Sequence, residues 1–204
     1  MKDINAMGMT QNAEVISNKG DVQRTGMIDY FLVECFDSEG NLKWKETIKN
    51  LVTNEGLDYI LNVAFKGSPA SGITTWYVGL KGSGSPTYAD DATSLPTQTN
   101  WTEYETYTAD SPAGPGERPG LTLSSPAASA GSGSIDNSAA KAVFVIDSPA
   151  NDVDGVFVVD SNIRGSNSAA TVLYGAGQFT GGAKTGLSVD DTLNVTVTLQ
   201  ADSA

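Results

Sequence analysis

The sequence predicts a mainly-β protein: a single antiparallel β-sandwich with one amphipathic helix and an extended N-terminal arm. Three observations predict it. Short runs rich in β-branched and aromatic residues recur along the chain, separated by turns containing Gly, Pro, Asp or Asn. Only one stretch carries a helical period. And 204 residues suffice for one sizeable core. The expected division is an arm over 1–26 and a β-sandwich domain over 27–204, with its helix near 53–66.

Residues 1–26 are polar and small, with no sustained period. They read either as an arm that orders on a partner or as a disordered tail. "MIDYFLVECF" then reads as a strand, "DSEGN" as a turn and "LKWKETI" as the returning strand, which together make a hairpin. In "NLVTNEGLDYILNVAFKG", Leu57, Ile60, Leu61, Ala64 and Phe65 fall at helical spacing. Thr53 or Asn54 suits its N-cap, and Glu55 and Asp58 suit the positive end. The expectation is that this apolar stripe closes an end or open edge of the β core.

Beyond the helix, "ITTWYVGL", "NWTEYETYT" and "GLTLSS" read as strands, the last inside a Pro/Gly/Ser/Ala-rich region from about 109 to 140. "KAVFVID" and "GVFVVD" are apolar on both faces and read as central strands joined across "SPANDVDG". "ATVLYGAGQF" and "TLNVTVTLQ" complete about eight or nine strands, a sandwich pattern.

Composition removes much chemistry. The chain holds 12 Lys and Arg against 24 Asp and Glu, for a formal charge of −12. With no basic patch, nucleic acid and anionic membranes are poor partners. Histidine is absent, so Ser-His-Asp triads, Cys-His pairs and HExxH zinc sites are excluded. Cys35 is the only cysteine. It shares a strand face with Phe31 and Val33 and reads as a small buried apolar residue. No disulfide framework, no apolar run of membrane-spanning length and no signal-peptide pattern point to assembly in cytoplasm without export.

"GAGQFTGGAKTG", 175–186, approaches the spacing of a phosphate-binding loop. Yet Ala183 displaces Lys184, and the alternating "TLNVTVTLQ" that follows is a strand where such a loop needs a helix. It reads as a connection between strands. "NDVDG", 151–155, lacks the further ligands of a calcium loop and reads as a hairpin turn. The pairs Asp90-Asp91 and Asp190-Asp191 make no natural two-carboxylate site. No catalytic, cofactor-binding or metal-binding residue is assigned, and no enzyme is expected. The aromatics Trp76, Tyr77, Trp101, Tyr104 and Tyr107 allow two readings: packing within the sandwich, or a surface for sugar or protein. On a single strand, Trp101 and Tyr107 share a face and Tyr104 takes the other.

The order of segments carries a resemblance. "N-x-x-T-N-x-G-L" at the helix start and "VGLKGSGSPTYADDATSL" are followed by "NWTEY", "RPGLTLSS" and "AVFVID…VDGVFVVDSN". Over roughly residues 50 to 200 the chain resembles virion structural proteins of tailed bacteriophages, most of all those that decorate or cement the capsid. The resemblance implies a β-sandwich on the virion surface that stabilises the capsid, with the major capsid protein and neighbouring copies as partners and no cofactor. Related modules in tails, collars and fibres imply the alternative of a module that contacts host glycans. Expected partner-binding residues are Met7, Met9, Val15 and Ile16 of the arm, docking on a neighbouring subunit, and Trp101 and Tyr104 of the aromatic group.

Overall fold

The structure, a computed structural model, describes residues 26–27, 29–66, 73–110 and 116–202. In chain order its elements are β1 (Gly26–Met27), β2 (Tyr30–Phe36), β3 (Leu42–Lys49), β4 (Leu51–Val52), α1 (Asn54–Leu61) with a π-helical turn Asn62–Lys66, β5 (Tyr77–Lys81) and β6 (Glu103–Tyr104). They continue with β7 (Tyr107–Asp110), β8 (Ala127–Ser129), β9 (Ser132–Asp136), β10 (Ala142–Ile146), β11 (Gly155–Val159), β12 (Leu173–Gln178) and β13 (Thr192–Asp202).

Two antiparallel sheets form a sandwich. One has the order β3-β2-β13-β10-β7, with β1 and the β8–β9 hairpin added along the second half of β13. The other has the order β4-β12-β11-β5-β6. The period of two in β2 and β13 sets the main core. Phe31, Val33 and Cys35 pair with Val197, Val195 and Leu193, and all six are fully buried. Val78, Leu80, Val156 and Val158 meet them from the second sheet. Each such side chain contributes about 1.5–3 kcal/mol by leaving water. Burial also pushes the Cys35 thiol up to about 11, which keeps it in the inert thiol form.

The second sheet is covered on its outer face as well. Phe157, Val159, Leu173 and Ala176 form a smaller cluster there with Ala92, Leu95 and Trp101 of the long β5–β6 connection. That explains why β11 is buried along its whole length, as its continuous apolar run predicts. β10 is different: its residues alternate between buried and half-buried. It also lies in the other sheet, so "SPANDVDG" is a crossing between sheets and not a hairpin turn.

The same kind of crossing corrects two further expectations. "NWTEYETYT" is not one strand, because the chain leaves the second sheet after Tyr104 and enters the first at Tyr107. Tyr104 and Tyr107 therefore stack in the main core, while Trp101 packs on Phe157 on the far side of the second sheet. "GLTLSS" forms a single bridge, Gly120 to Tyr77, and no strand. The described residues contain thirteen strands, more than sequence reading counted. The additional ones are short, and β8–β9 turns through Ala130 and Gly131, both at positive φ (51° and 84°).

Candidate functional site

The helix is pinned at its first turn, and with the π turn that follows it leaves four large apolar side chains exposed. Thr53 is its N-cap, with Oγ1 accepting from Gly56 N at 3.1 Å and donating to the Leu173 carbonyl. Glu55 reaches out of the first turn, where Oε2 accepts from Ala92 N (2.9 Å) and Leu173 N (2.8 Å). Burial raises the Glu55 carboxyl above its usual value against those two hydrogen bonds. These contacts lock α1 onto β12 and the β5–β6 connection.

Gly56 sets the distance. A Cβ there would lie 2.2 Å from the Tyr174 carbonyl oxygen, closer than any real contact. Gly56→Ala is therefore expected to destabilise the fold by about 1–3 kcal/mol, despite alanine's better helix propensity. Urea unfolding measures it, and an unchanged midpoint contradicts this seat for the helix.

Because the helix sits through Gly56, Tyr59 and Ile60, its predicted apolar stripe does not close the core. Of the five residues expected to do so, only Ile60 packs against it. Leu57 (43 %), Leu61 (54 %), Val63 (42 %) and Phe65 (82 %) are exposed. After Leu61 the chain widens into the π turn, which breaks the α-helical spacing assumed for Ala64 and Phe65. The result is an apolar ridge on a rigid support, with charged Asp58 and Lys66 also exposed along it. Val63 is absent from the sequence prediction, since it falls off the α-helical stripe.

Two apolar depressions adjoin one another at Leu199, and the helix lines one of them. One, of about 150 Å³, is lined by Tyr59, Ile60, Trp76, Leu121, Leu123 and Leu199, among others. The second, of about 300 Å³, runs over β8, β9 and the end of β13, and Leu199 lines it too. Trp76 is held edge-on between Tyr59 (5.2 Å) and Tyr174 (5.7 Å).

The other residues singled out in sequence fall elsewhere. Met7, Met9, Val15 and Ile16 lie outside the described residues. Trp101 and Tyr104 are buried, at 2 % and 6 % exposure. They form no surface, because the chain wraps the outer face of the second sheet with one and fills the core with the other. Asp90 accepts a hydrogen bond from Trp101 Nε1 (2.7 Å) and two more from Thr87. Asp91 caps the short turn Ala92–Ser94.

Asp154, in the suspected turn, is buried and accepts from Lys81 Nζ (3.3 Å), Gly84 N (3.2 Å) and Gln178 Nε2 (2.8 Å). Burial lowers the Lys81 pKa more than the Asp154 charge restores it. In the glycine-rich 175–186 stretch, Gly177 lies within β12 and Lys184 pairs with Glu46 at 2.5 Å. Among the described residues, no three His, Cys, Asp or Glu side chains converge to hold a metal ion.

The sequence pattern does not single out a fully buried ion pair, Arg118–Glu103. Nε and Nη2 each donate to a Glu103 oxygen at 2.7 Å, and both side chains are fully buried. Nη1 donates to Ser161 O at 2.8 Å, and Gly165 N donates to Glu103 at 3.0 Å. Burial raises the Glu103 carboxyl in spite of the guanidinium. With this many bonds already made inside the fold, the pair binds loops together and presents no open position to a substrate.

No protein-family model, curated protein or solved structure matches the chain.

Proposed function

We propose that this chain is a non-enzymatic structural protein of a tailed-phage virion, which decorates or stabilises the capsid by binding the lattice of the major capsid protein, alongside neighbouring copies of itself. The observation that carries the reading is the exposed ridge of Leu57, Leu61, Val63 and Phe65 on a helix pinned through Thr53, Glu55 and Gly56. Four large apolar side chains held in water by a rigid support mark a contact with another protein. The segment order that resembles capsid decoration proteins supplies the kind of protein. The acidic composition, −12 overall, suits a soluble subunit added to a particle from solution. The glycan-binding alternative draws on the Trp/Tyr group, of which Trp101, Tyr104 and Tyr107 are buried while Trp76 and Tyr77 are half-buried.

The test is attachment. Purified capsids are incubated with the wild-type chain and with the double variant Leu61→Asp/Phe65→Asp, and bound copies are counted by quantitative mass spectrometry against the major capsid protein. The wild-type chain is expected at copy numbers that scale with the lattice, and the variant at about tenfold fewer or less, the loss of two apolar anchors. Equal binding of both proteins removes the ridge from the interface. Absence of the wild-type chain from the particle overturns the virion reading.

A further inference from the structure

We propose that the trough formed by the two adjoining depressions is the seat of residues 1–25 of the same chain, which lay Met7, Met9, Val15 and Ile16 along it. This inference stands apart from the virion role, because it concerns a contact within the isolated protein. It also differs from the expectation that the arm docks on a neighbouring subunit.

The trough begins where the cover over one face of β13 gives out. Along β13, Leu193, Val195 and Val197 are buried under the second sheet. Leu199 and Ala201, next on the same face, are only half-covered or exposed. Ile135 and Gly133 pair with them and extend this floor sideways, followed by Ala128. The wall is α1 with Trp76, Leu121 and Leu123. Among the described residues, no charged side chain lines either depression.

The occupant is indicated by where the outlying chain joins the fold and by its chemistry. Gly26 pairs with Asp202 and Met27 with Ala201, on the opposite side of β13 from β9. Segment 1–25 is thus rooted one strand spacing, about 4.8 Å, from the strand that floors the trough. Twenty-five residues reach up to about 80 Å when extended, so only a small part of that length is needed to turn over the end of the sheet. From Ile4 to Ile16 the only charged residue is Glu14, which suits an uncharged floor. Flexible Met side chains fill shallow, irregular apolar surfaces well. Attachment in the same chain gives the segment a high effective concentration at this seat.

Hydrogen exchange read by mass spectrometry tests the seat on the full chain, with the Ser variant Met7→Ser/Met9→Ser/Val15→Ser/Ile16→Ser. Peptides covering 56–61, 121–128 and 198–202 are expected to exchange about fivefold faster or more in the variant, while β10 and β11 are unchanged. Reciprocally, Ala128→Glu in the trough is expected to speed exchange within residues 4–16. Light scattering is expected to give one mass, that of the monomer, for all three proteins. Identical exchange at the trough in wild type and variant overturns the proposal. A wild-type oligomer that dissociates in the Ser variant also overturns it, since the seat is then filled by a second copy.

Discussion

Arg118→Ala is expected to lower the stability of the fold by about 3–5 kcal/mol, a large share of the about 5–15 kcal/mol of an ordinary domain. The size follows from what is left behind. Glu103 is enclosed with both oxygens turned to the guanidinium, and without it a buried carboxylate is left with the Gly165 N–H alone. Ser161 O loses a donor at the same time. The ion pair itself is worth far less than its disruption, because burying two charges already carries a desolvation penalty. The double variant Arg118→Met/Glu103→Leu should therefore regain most of the loss. Equilibrium unfolding of the two single variants and the double one measures the coupling. Additive losses contradict the account.

Trp101→Ala is expected to destabilise by a similar amount, about 3–5 kcal/mol. The indole packs on Phe157 at a ring-centroid distance of 5.3 Å and donates to Asp90 at 2.7 Å. Its removal opens a cavity on the outer face of the second sheet and deprives a buried carboxylate of a donor. Trp101→Phe separates the two effects: it keeps most of the packing and removes the hydrogen bond, for a smaller loss of about 1–3 kcal/mol. Thermal and urea unfolding read both variants. A glycan-binding tryptophan gives the opposite pattern, with binding lost and stability kept.

The parts of this fold that sequence made legible are those whose pattern is local. The β2–β3 hairpin is written in the alternation of Phe31, Val33 and Cys35 and in Asp37, whose carboxylate accepts from Glu39 N and Asn41 N to shape the turn. The Thr53 cap is equally local. The β8–β9 hairpin was not legible, because Ala, Ser and Gly carry no alternation and the turn through Ala130 is visible only in its backbone. The split at Tyr104–Tyr107 was hidden because aromatic residues favour strands in either sheet.

The candidate site was half legible. Periodicity located Leu57, Leu61 and Phe65, but the side they face is decided by the fit of Gly56 against Tyr174, a contact between residues far apart in sequence. The Arg118–Glu103 pair carried one faint signal: an arginine set between Glu117 and Pro119 in a stretch otherwise poor in charge.

The position of β13 has a consequence for how the protein comes into being. It pairs with β1, β2, β9 and β10, so it is the seam of its sheet, yet among the described strands it is the last to leave the ribosome. Val33 must wait for Val195, and Phe144 for Leu193. At about 5–20 residues per second, synthesis leaves β2 paired with β3 but without β13 for roughly 8–30 seconds. Pairing along this seam accordingly waits until β13 has been made, and is dominated by slow closure of long loops. A nascent chain stalled before Thr192 lacks the seam, with its apolar strand faces open to aggregation or to chaperones.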